Sequence, residues 1–202
     1  MLDTPNVDRQ SRRRDQTRGE ILDAAWEVAR ERGLTGFTLR DVAERVGMRA
    51  PSLYSHFDSK HAIYDAMYGQ AWTAYEDAVA PAQAAFTDDL RATAHEIARE
   101  FFAFAIAEPD RYRLMNQRII PGFEPSPESY APAVRVLELG HAVVAERGLA
   151  DPDDFTILIA IIGGLIDQHL ANDLGSERAA RLLTRAVDLW CDGVTATQEV
   201  PS

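Results

Sequence analysis

The chain has 202 residues, 46% of them hydrophobic, and a formal net charge of −11, which allows one large or two small globular domains with a substantial core. The longest apolar run, residues 155–166, is shorter than the roughly 18 residues of a membrane span, and the N-terminus lacks the apolar core of a signal peptide. The single cysteine, Cys191, excludes an internal disulfide and a cysteine-based zinc site. We therefore expect a cytoplasmic protein without membrane contact.

The negative charge is distributed unevenly along the chain. Residues 1–60 carry 11 Lys and Arg against 10 Asp and Glu, whereas residues 61–202 carry 10 against 22. Binding to nucleic acid requires basic side chains that neutralise phosphates, so only the first part of the chain suits such a partner. The distribution indicates two functions in one chain, a near-neutral segment with an Arg-rich start and an acidic body.

The chain begins with a polar segment that shows no periodicity. Residues 1–11 hold mixed polar groups, and a run of three arginines follows at 12–14. We expect residues 1–16 to form a mobile basic arm, which is either a solvated tail or a contact with DNA phosphates or the minor groove. From Thr17 the apolar spacing becomes helical, and Gly33 stands where that helix would end.

The next two predicted helices are short and joined by a tight turn. Thr38 occupies the N-cap position of the second helix with Asp41 three residues later, and Gly47 ends it. Pro51 suits the first turn of the third helix, where its missing N–H costs nothing, and Leu53 there points to the core. This arrangement is the helix-turn-helix, whose second helix enters the major groove of DNA.

The rest of the chain is predicted to be helical as well. The stretch 119–132 carries four of the ten prolines and is predicted to be a loop. No strand pattern and no internal repeat occur, so the predicted fold class is all-α. Helical spacing of apolar residues recurs in five further segments, at about 58–81, 88–109, 130–148, 152–173 and 176–197.

Side chains around the third helix have the chemistry to contact DNA. Arg49 at the head of that helix suits a guanine edge, and Ser52 and Tyr54 offer hydroxyls to phosphates. His56 suits a phosphate or a base, and Lys60 supplies both a charge and a helix N-terminus for a phosphate. The predicted DNA contacts are Thr38, Arg49, Ala50, Pro51, Ser52, Tyr54, His56 and Lys60.

Residues 21–68 carry a recognisable pattern. An alanine-rich first helix ends in Gly33, and the motifs TLRDVAERVG and LYSHFDSK follow. This segment resembles the DNA-binding domain of the tetracycline-repressor-like (TetR) family of transcriptional regulators. Two positions depart from the family pattern, since His61 stands where Glu is frequent and Ser52 where Thr is frequent.

The resemblance implies a ligand-responsive regulator, most often a repressor, and neither catalysis nor a cofactor. It implies a helix-turn-helix domain at 17–62 and a helical ligand-binding and dimerisation domain at 63–202. Such a protein binds a pseudo-palindromic operator in double-stranded DNA as a homodimer, with its two reading helices roughly 34–36 Å apart. A small-molecule effector among the central helices would displace the fourth helix and alter that spacing.

The last two helices are expected to form the dimer. Residues 155–171 are apolar around most of the helix circumference, which indicates burial on more than one side, and the glycines at 163 and 164 permit close helix approach. The resemblance implies a four-helix bundle with the same helices of a second copy. The predicted interface residues are Ile161, Gly164, Leu165, Leu182, Ala186, Leu189 and Trp190.

A set of aromatic residues in the middle of the chain is either the core of the helical body or the lining of an effector cavity. Ligand cavities are mostly apolar with few polar groups, so such a lining favours a lipophilic molecule, either an acyl or a polycyclic compound. Arg113, His141 or Gln168 would then supply an orienting polar contact. The candidate lining residues are Trp72, Tyr75, Phe101, Phe104, Tyr112 and Met115, with His141 and Gln168.

Other functions have less support in the sequence. The chain contains no G-x-S-x-G, H-E-x-x-H or P-loop motif, and His169 with Asp173 supplies two ligands where a zinc site needs more. The aspartates at 151–154 lack the glycine and distal glutamate of a calcium loop, and are predicted to cap a helix. The alternatives are a small-molecule-binding protein or enzyme with a purely structural helix-turn-helix, and a nonspecific DNA-coating protein, which the acidic balance disfavours.

Overall fold

The computed structural model describes residues 4–149, 151–173 and 175–198. Within these ranges no strand occurs, so the predicted all-α class is confirmed. A 3-10 turn lies at Pro81–Ala85. The helices are α1 Thr4–Arg32, α2 Leu39–Val46, α3 Ala50–Tyr54, α4 Lys60–Val79, α5 Leu90–Ala107, α6 Pro109–Asn116, α7 Pro127–Ala145, α8 Pro152–Asn172 and α9 Ser176–Gln198.

Helix α1 starts at Thr4, well before the start that the sequence predicts at Thr17. Residues 11–16 of these extra turns bury no apolar face, since all six are exposed, and periodicity detects only helices that bury one side. Local bonds stabilise these turns instead, since Gln16 donates to Glu20 over 3.0 Å and good helix formers such as Arg and Gln are frequent there. The three arginines at 12–14 lie within this helix.

The proline-rich part of the chain contains more helix than the sequence predicts. Helix α6 was not predicted, and α7 begins at Pro127, inside the stretch expected to be a loop. The Ser126 hydroxyl accepts from the Ser129 N–H over 3.2 Å and caps α7, while Pro127 lies in the first turn, where no N–H is required. Pro132 lies within the helix and removes one of its hydrogen bonds.

The chain divides into two compact units. The first comprises the chain up to Ala71 together with Arg113–Tyr130, and the second comprises Trp72–Tyr112 and the chain from Ala131. The first contains the predicted helix-turn-helix segment. Its core is formed by buried residues of α1 to α4 and their connections, including Ile21, Val28, Phe37, Val42, Leu53, Phe57, Ile63 and Met67.

The second unit is built on contacts of α5, α8 and α9 with one another. Helix α8 is long and apolar enough to cross a membrane by length and composition, a feature that the short run at 155–166 does not reveal. One side of α8 packs inside the unit, where Phe155, Leu158, Ile162 and Ile166 are buried. Asp151 caps this helix by accepting from the Asp153 N–H over 2.9 Å, as predicted for the aspartates at this position.

Candidate nucleic-acid interface and cavities

A capping box fixes the start of α2. The Thr38 hydroxyl accepts from the Asp41 N–H over 3.2 Å, and the Asp41 carboxylate accepts from the Thr38 N–H over 2.8 Å. Donation to the Asp41 carboxylate by the Thr38 hydroxyl and by the Thr38 N–H holds the pKa of Asp41 below its usual value, and the nearby Arg32 guanidinium adds to the effect. The Thr38 hydroxyl also donates to Asp41 over 2.8 Å. Since a hydroxyl has one hydrogen, the hydrogen of the Thr38 hydroxyl is used within the cap in this structure.

Helix α3 presents a polar face on an apolar anchor. Arg49 precedes the helix in extended backbone, φ −76° and ψ 141°, and its side chain is exposed. Ser52 is also exposed, and Tyr54 is 53% exposed. Leu53, by contrast, is completely buried. The structure therefore places three of the predicted contacts, Arg49, Ser52 and Tyr54, where DNA can reach them, with Pro51 exposed and Ala50 half-buried beside them.

Two arginines of α1 hold the segment that follows α3. The Arg18 guanidinium donates to the carbonyl of His56 and lies 4.1 Å from the centre of the Phe57 ring. Arg14 donates to the carbonyl of Ser55 over 3.4 Å. These residues line a crevice of about 260 Å³ together with Tyr54. This role is not visible in the sequence, because the contact between Arg18 and His56 joins positions 38 residues apart.

Two predicted contacts are half-buried. The Lys60 ammonium donates to the carbonyl of Thr35 over 3.2 Å and lies 4.7 Å from the centre of the Phe37 ring, and desolvation lowers its pKa. An ammonium has three donors, so this geometry leaves donors for a phosphate. The Nδ1 atom of His56 is buried and has no hydrogen-bond partner among the residues that the structure describes.

The predicted effector-cavity residues of the second unit form a packed aromatic core. Tyr75 lies 5.4 Å from Phe101 and 5.0 Å from Phe104 between ring centres. Phe101 lies 5.8 Å from Tyr112, whose hydroxyl donates to Asp167 over 3.1 Å. Trp72, Tyr75, Phe101 and Tyr112 are 2–7% exposed. His141 packs edge-on against Phe155 at 4.6 Å, and Gln168 is exposed.

A cavity of about 630 Å³ lies within the first unit. Met115 lines it and is the member of the predicted effector set that does so. The sequence suggested the others because core and cavity linings have the same apolar composition. The cavity is lined by one residue of α4, the end of α6, the connection to α7 and the start of α7, namely Tyr68, Leu114, Met115, Asn116, Gln117, Arg118, Ile120, Phe123, Glu124, Pro125, Pro127 and Tyr130.

The predicted dimer residues differ in exposure. Leu189 is 61% exposed and Gly164 is exposed, with nothing within 4 Å of the position of an added Cβ. Trp190 is only 5% exposed, and its indole N–H donates to the carbonyl of Asp154 over 2.9 Å. Trp190 therefore belongs to the core of its own unit and offers little surface to a partner. The half-buried members are Ile161, Leu165, Leu182 and Ala186.

An exposed, well-anchored recognition helix in an all-helical chain defines a DNA-binding regulator of the helix-turn-helix class. A family model described as bacterial regulatory proteins, tetR family, matches residues 21–67, and a model described as a tetracyclin repressor-like C-terminal domain matches residues 94–190. The chain belongs to the TetR family of transcriptional regulators, and it is a regulator, not an enzyme.

Individual relatives agree with this assignment. The chain is 28% identical over 162 residues to the tetracycline repressor protein class A from transposon 1721 of Escherichia coli, covering 78% of this chain and 69% of that protein. It is 48% identical over 48 residues to the transcriptional repressor KstR2 of Rhodococcus jostii (strain RHA1), which is 24% of either chain. The crystal structure of the putative regulatory protein SCO4313 shares the fold, with a TM-score of 0.73, 22% identity and coverage of 89% and 97%.

Proposed function

We propose that the protein is a repressor that binds a pseudo-palindromic operator as a homodimer in the cytoplasm and is released by a small lipophilic inducer. The observation that carries the proposal is the exposed face of α3, where Arg49, Ser52 and Tyr54 surround the buried anchor Leu53. Two relatives with matching sequence are repressors by name. The acidic second part of the chain supports DNA binding through the first part, because phosphates repel acidic side chains.

Exposed apolar side chains on α8 and α9 support the proposed homodimer. Ile157 is 49% exposed and Leu189 is 61% exposed, while Gly164 leaves room for a second helix. Apolar side chains at this exposure on two long helices indicate a surface that a second copy covers. A twofold-symmetric protein presents two copies of α3, so the operator has two half-sites in inverted orientation.

A mobility-shift titration with the DNA that flanks the gene tests the proposal. We expect a saturable complex at a protein concentration that leaves random DNA of equal length unbound, and a footprint with twofold symmetry. Equal binding to both DNAs would favour a nonspecific DNA-coating protein, and no binding to either would contradict the proposal. Transcription from the bound promoter, measured with and without the protein, separates a repressor from an activator.

Replacing Arg49 tests direct base readout. Arg49→Ala is expected to cost about 1–3 kcal/mol of binding free energy on the operator and to relax discrimination at one base position. Binding curves on the operator and on single-base variants of it measure both effects. The control is Arg181→Ala on α9, where the arginine pairs with Glu177 over 2.9 Å. An equal loss on operator and random DNA would make Arg49 a phosphate contact instead.

Replacing Lys60 tests the backbone contact. Lys60→Gln is expected to weaken binding to all sequences alike and to reduce the slope of log K against log salt by about one unit. Lys60→Arg keeps the charge and is expected to retain the slope of the wild type. If the slope is unchanged in Lys60→Gln, the ammonium serves only its bond to Thr35 and its contact with Phe37.

A further inference from the structure

The 630 Å³ cavity of the first unit has an aromatic side. The rings of Tyr68 and Tyr130 are nearly parallel, with 17° between their planes and 6.3 Å between their centres. Phe123 lies 6.3 Å from Tyr68 and 5.9 Å from Tyr64. The volume is in the range of small-molecule sites. Aromatic faces favour two kinds of occupant, another flat ring and a cation.

The charges around this cavity favour a cation. Glu124 is exposed and lines it. Three successive residues of the last turn of α6, ending at Asn116, also line it, and the C-terminal end of a helix carries partial negative charge. Arg118 is the cationic side chain among the lining residues. The first unit, residues 1–71 and 113–130, carries 13 Lys and Arg against 13 Asp and Glu, so the preference for a cation rests on Glu124 and the end of α6.

A hydrogen-bonded clasp joins the α7 side of the cavity to α4. The Asp65 carboxylate accepts from the Ser126 N–H over 2.7 Å, from the Ser126 hydroxyl over 2.8 Å and from the Ser129 hydroxyl over 2.9 Å. Asp65 and Tyr68 are three residues apart on α4 and so share a face. The helices approach closely here, since an added Cβ at Gly69 would lie 3.4 Å from the Ser129 Cα.

The same helix reaches the helix-turn-helix at its other end. Lys60, the first residue of α4, donates to the carbonyl of Thr35, and Tyr64 donates to the carbonyl of Leu34, in the turn before α2. Tyr64 also lies 5.2 Å from Phe37 between ring centres. A shift of α4 therefore acts directly on the turn that positions α2. All these contacts lie within the first unit.

We propose that this cavity is an effector site for a flat aromatic cation, and that the clasp of Asp65 with Ser126 and Ser129 couples its occupancy to DNA release. The inference rests on the proposed function. The clasp connects α4 to the start of α7. A ring that enters between Tyr68 and Tyr130 moves these two helices apart. The ligand then prefers the conformation with α4 displaced, and only such a difference in affinity shifts the DNA-binding equilibrium.

Two dyes with the same xanthene ring system and opposite charge test the site. Tetramethylrhodamine methyl ester, a cation, is expected to bind the full-length protein, as measured by fluorescence anisotropy, and fluorescein, an anion, is expected not to bind. Glu124→Gln is expected to weaken binding of the cation about 3- to 10-fold, a typical effect of removing one partly exposed charge. Arg118→Gln is expected to strengthen it by a similar factor.

Glu128→Gln is the matched control, because Glu128 is an exposed residue of the first turn of α7 that does not line the cavity. It removes the same charge and is expected to change dye affinity less than twofold, the scale of screened surface charges. Binding of fluorescein in preference to the cation, or its loss in Arg118→Gln, would overturn the ligand class. Equal effects of Glu124→Gln and Glu128→Gln would overturn the location of the site.

The clasp is tested by the ratio of operator affinities without and with the cationic dye. In the wild type this ratio is expected to be at least about fivefold, the lower end of typical allosteric couplings. In the double variant Ser126→Ala and Ser129→Ala, dye binding is expected to persist while the ratio falls towards one. Thermal melting of each variant verifies that it is folded, and Ser126→Thr, which retains a hydroxyl, is expected to preserve more coupling than Ser126→Ala.

The outcomes separate this inference from the proposed function. Operator binding by the wild type that is insensitive to a bound dye would overturn the inference and leave the proposed regulator intact. Full coupling in the serine double variant would exclude the clasp as the connection. If the wild type binds no operator at all, the proposed function itself fails.

Discussion

Gly36→Ala is expected to destabilise the protein by about 2–3 kcal/mol, the scale of overpacking at a site that cannot relax. A Cβ at position 36 would overlap the backbone carbonyl oxygen of Arg32, and the Gly36 N–H donates to the carbonyl of Gly33 over 3.1 Å in the same turn. Relief therefore requires movement of the turn between α1 and α2. Urea unfolding followed by circular dichroism measures the loss, and operator binding is expected to fall with it.

Gly19→Ala is the matched control and is expected to have the opposite sign. Gly19 lies within α1, and nothing lies within 4 Å of an added Cβ there. Because glycine costs roughly 0.5–1 kcal/mol relative to alanine in a helix, this variant is expected to gain about that amount. A loss of stability in Gly19→Ala, or none in Gly36→Ala, would contradict the account of the α1–α2 turn.

The double variant Ile157→Arg and Leu189→Arg is expected to convert the proposed dimer into a monomer. Both side chains are largely exposed in a single copy, so the substitutions change the stability of the protomer little but place charges inside the interface. Operator affinity is expected to fall about 100- to 10,000-fold, because the two half-sites are no longer bound by linked copies. Sedimentation velocity measures the oligomeric state.

Leu139→Arg is the control for this prediction. Leu139 is 38% exposed on α7, outside the predicted dimer helices, and this variant is expected to remain a dimer and to bind the operator. An intact dimer in the double variant would place the interface elsewhere. Monomers in both variants would indicate that charge on any exposed leucine disrupts the assembly.

Local signals predicted the helix-turn-helix well. Thr38, Asp41 and Gly47 each act through neighbours within a few residues, so their cap roles are visible in the sequence and are confirmed by the hydrogen bonds of α2. Leu53 follows from its spacing to apolar neighbours and is buried as predicted. The roles of Arg14 and Arg18 were missed, since their partners lie 41 and 38 residues away.

The aromatic residues show what a sequence cannot decide. Tyr75 and Phe101 are of the residue types that line cavities, yet their rings contact one another in a core. Tyr68 and Tyr130 are also aromatic, and they border a cavity. Only the packing of backbone segments distant in sequence distinguishes the two cases, because cores and cavity linings use the same apolar residue types.

Lys60 also allows a covalent label to be attached beside the turn before α2. It is the single lysine of the chain, and desolvation lowers the pKa of its ammonium, so a larger fraction is in the nucleophilic amine form at a given pH. An amine-directed label therefore has one side chain to react with in this protein, and it lies beside the carbonyl of Thr35 and the rings of Phe37 and Tyr64. A fluorophore attached there would report on that turn without the introduction of a cysteine.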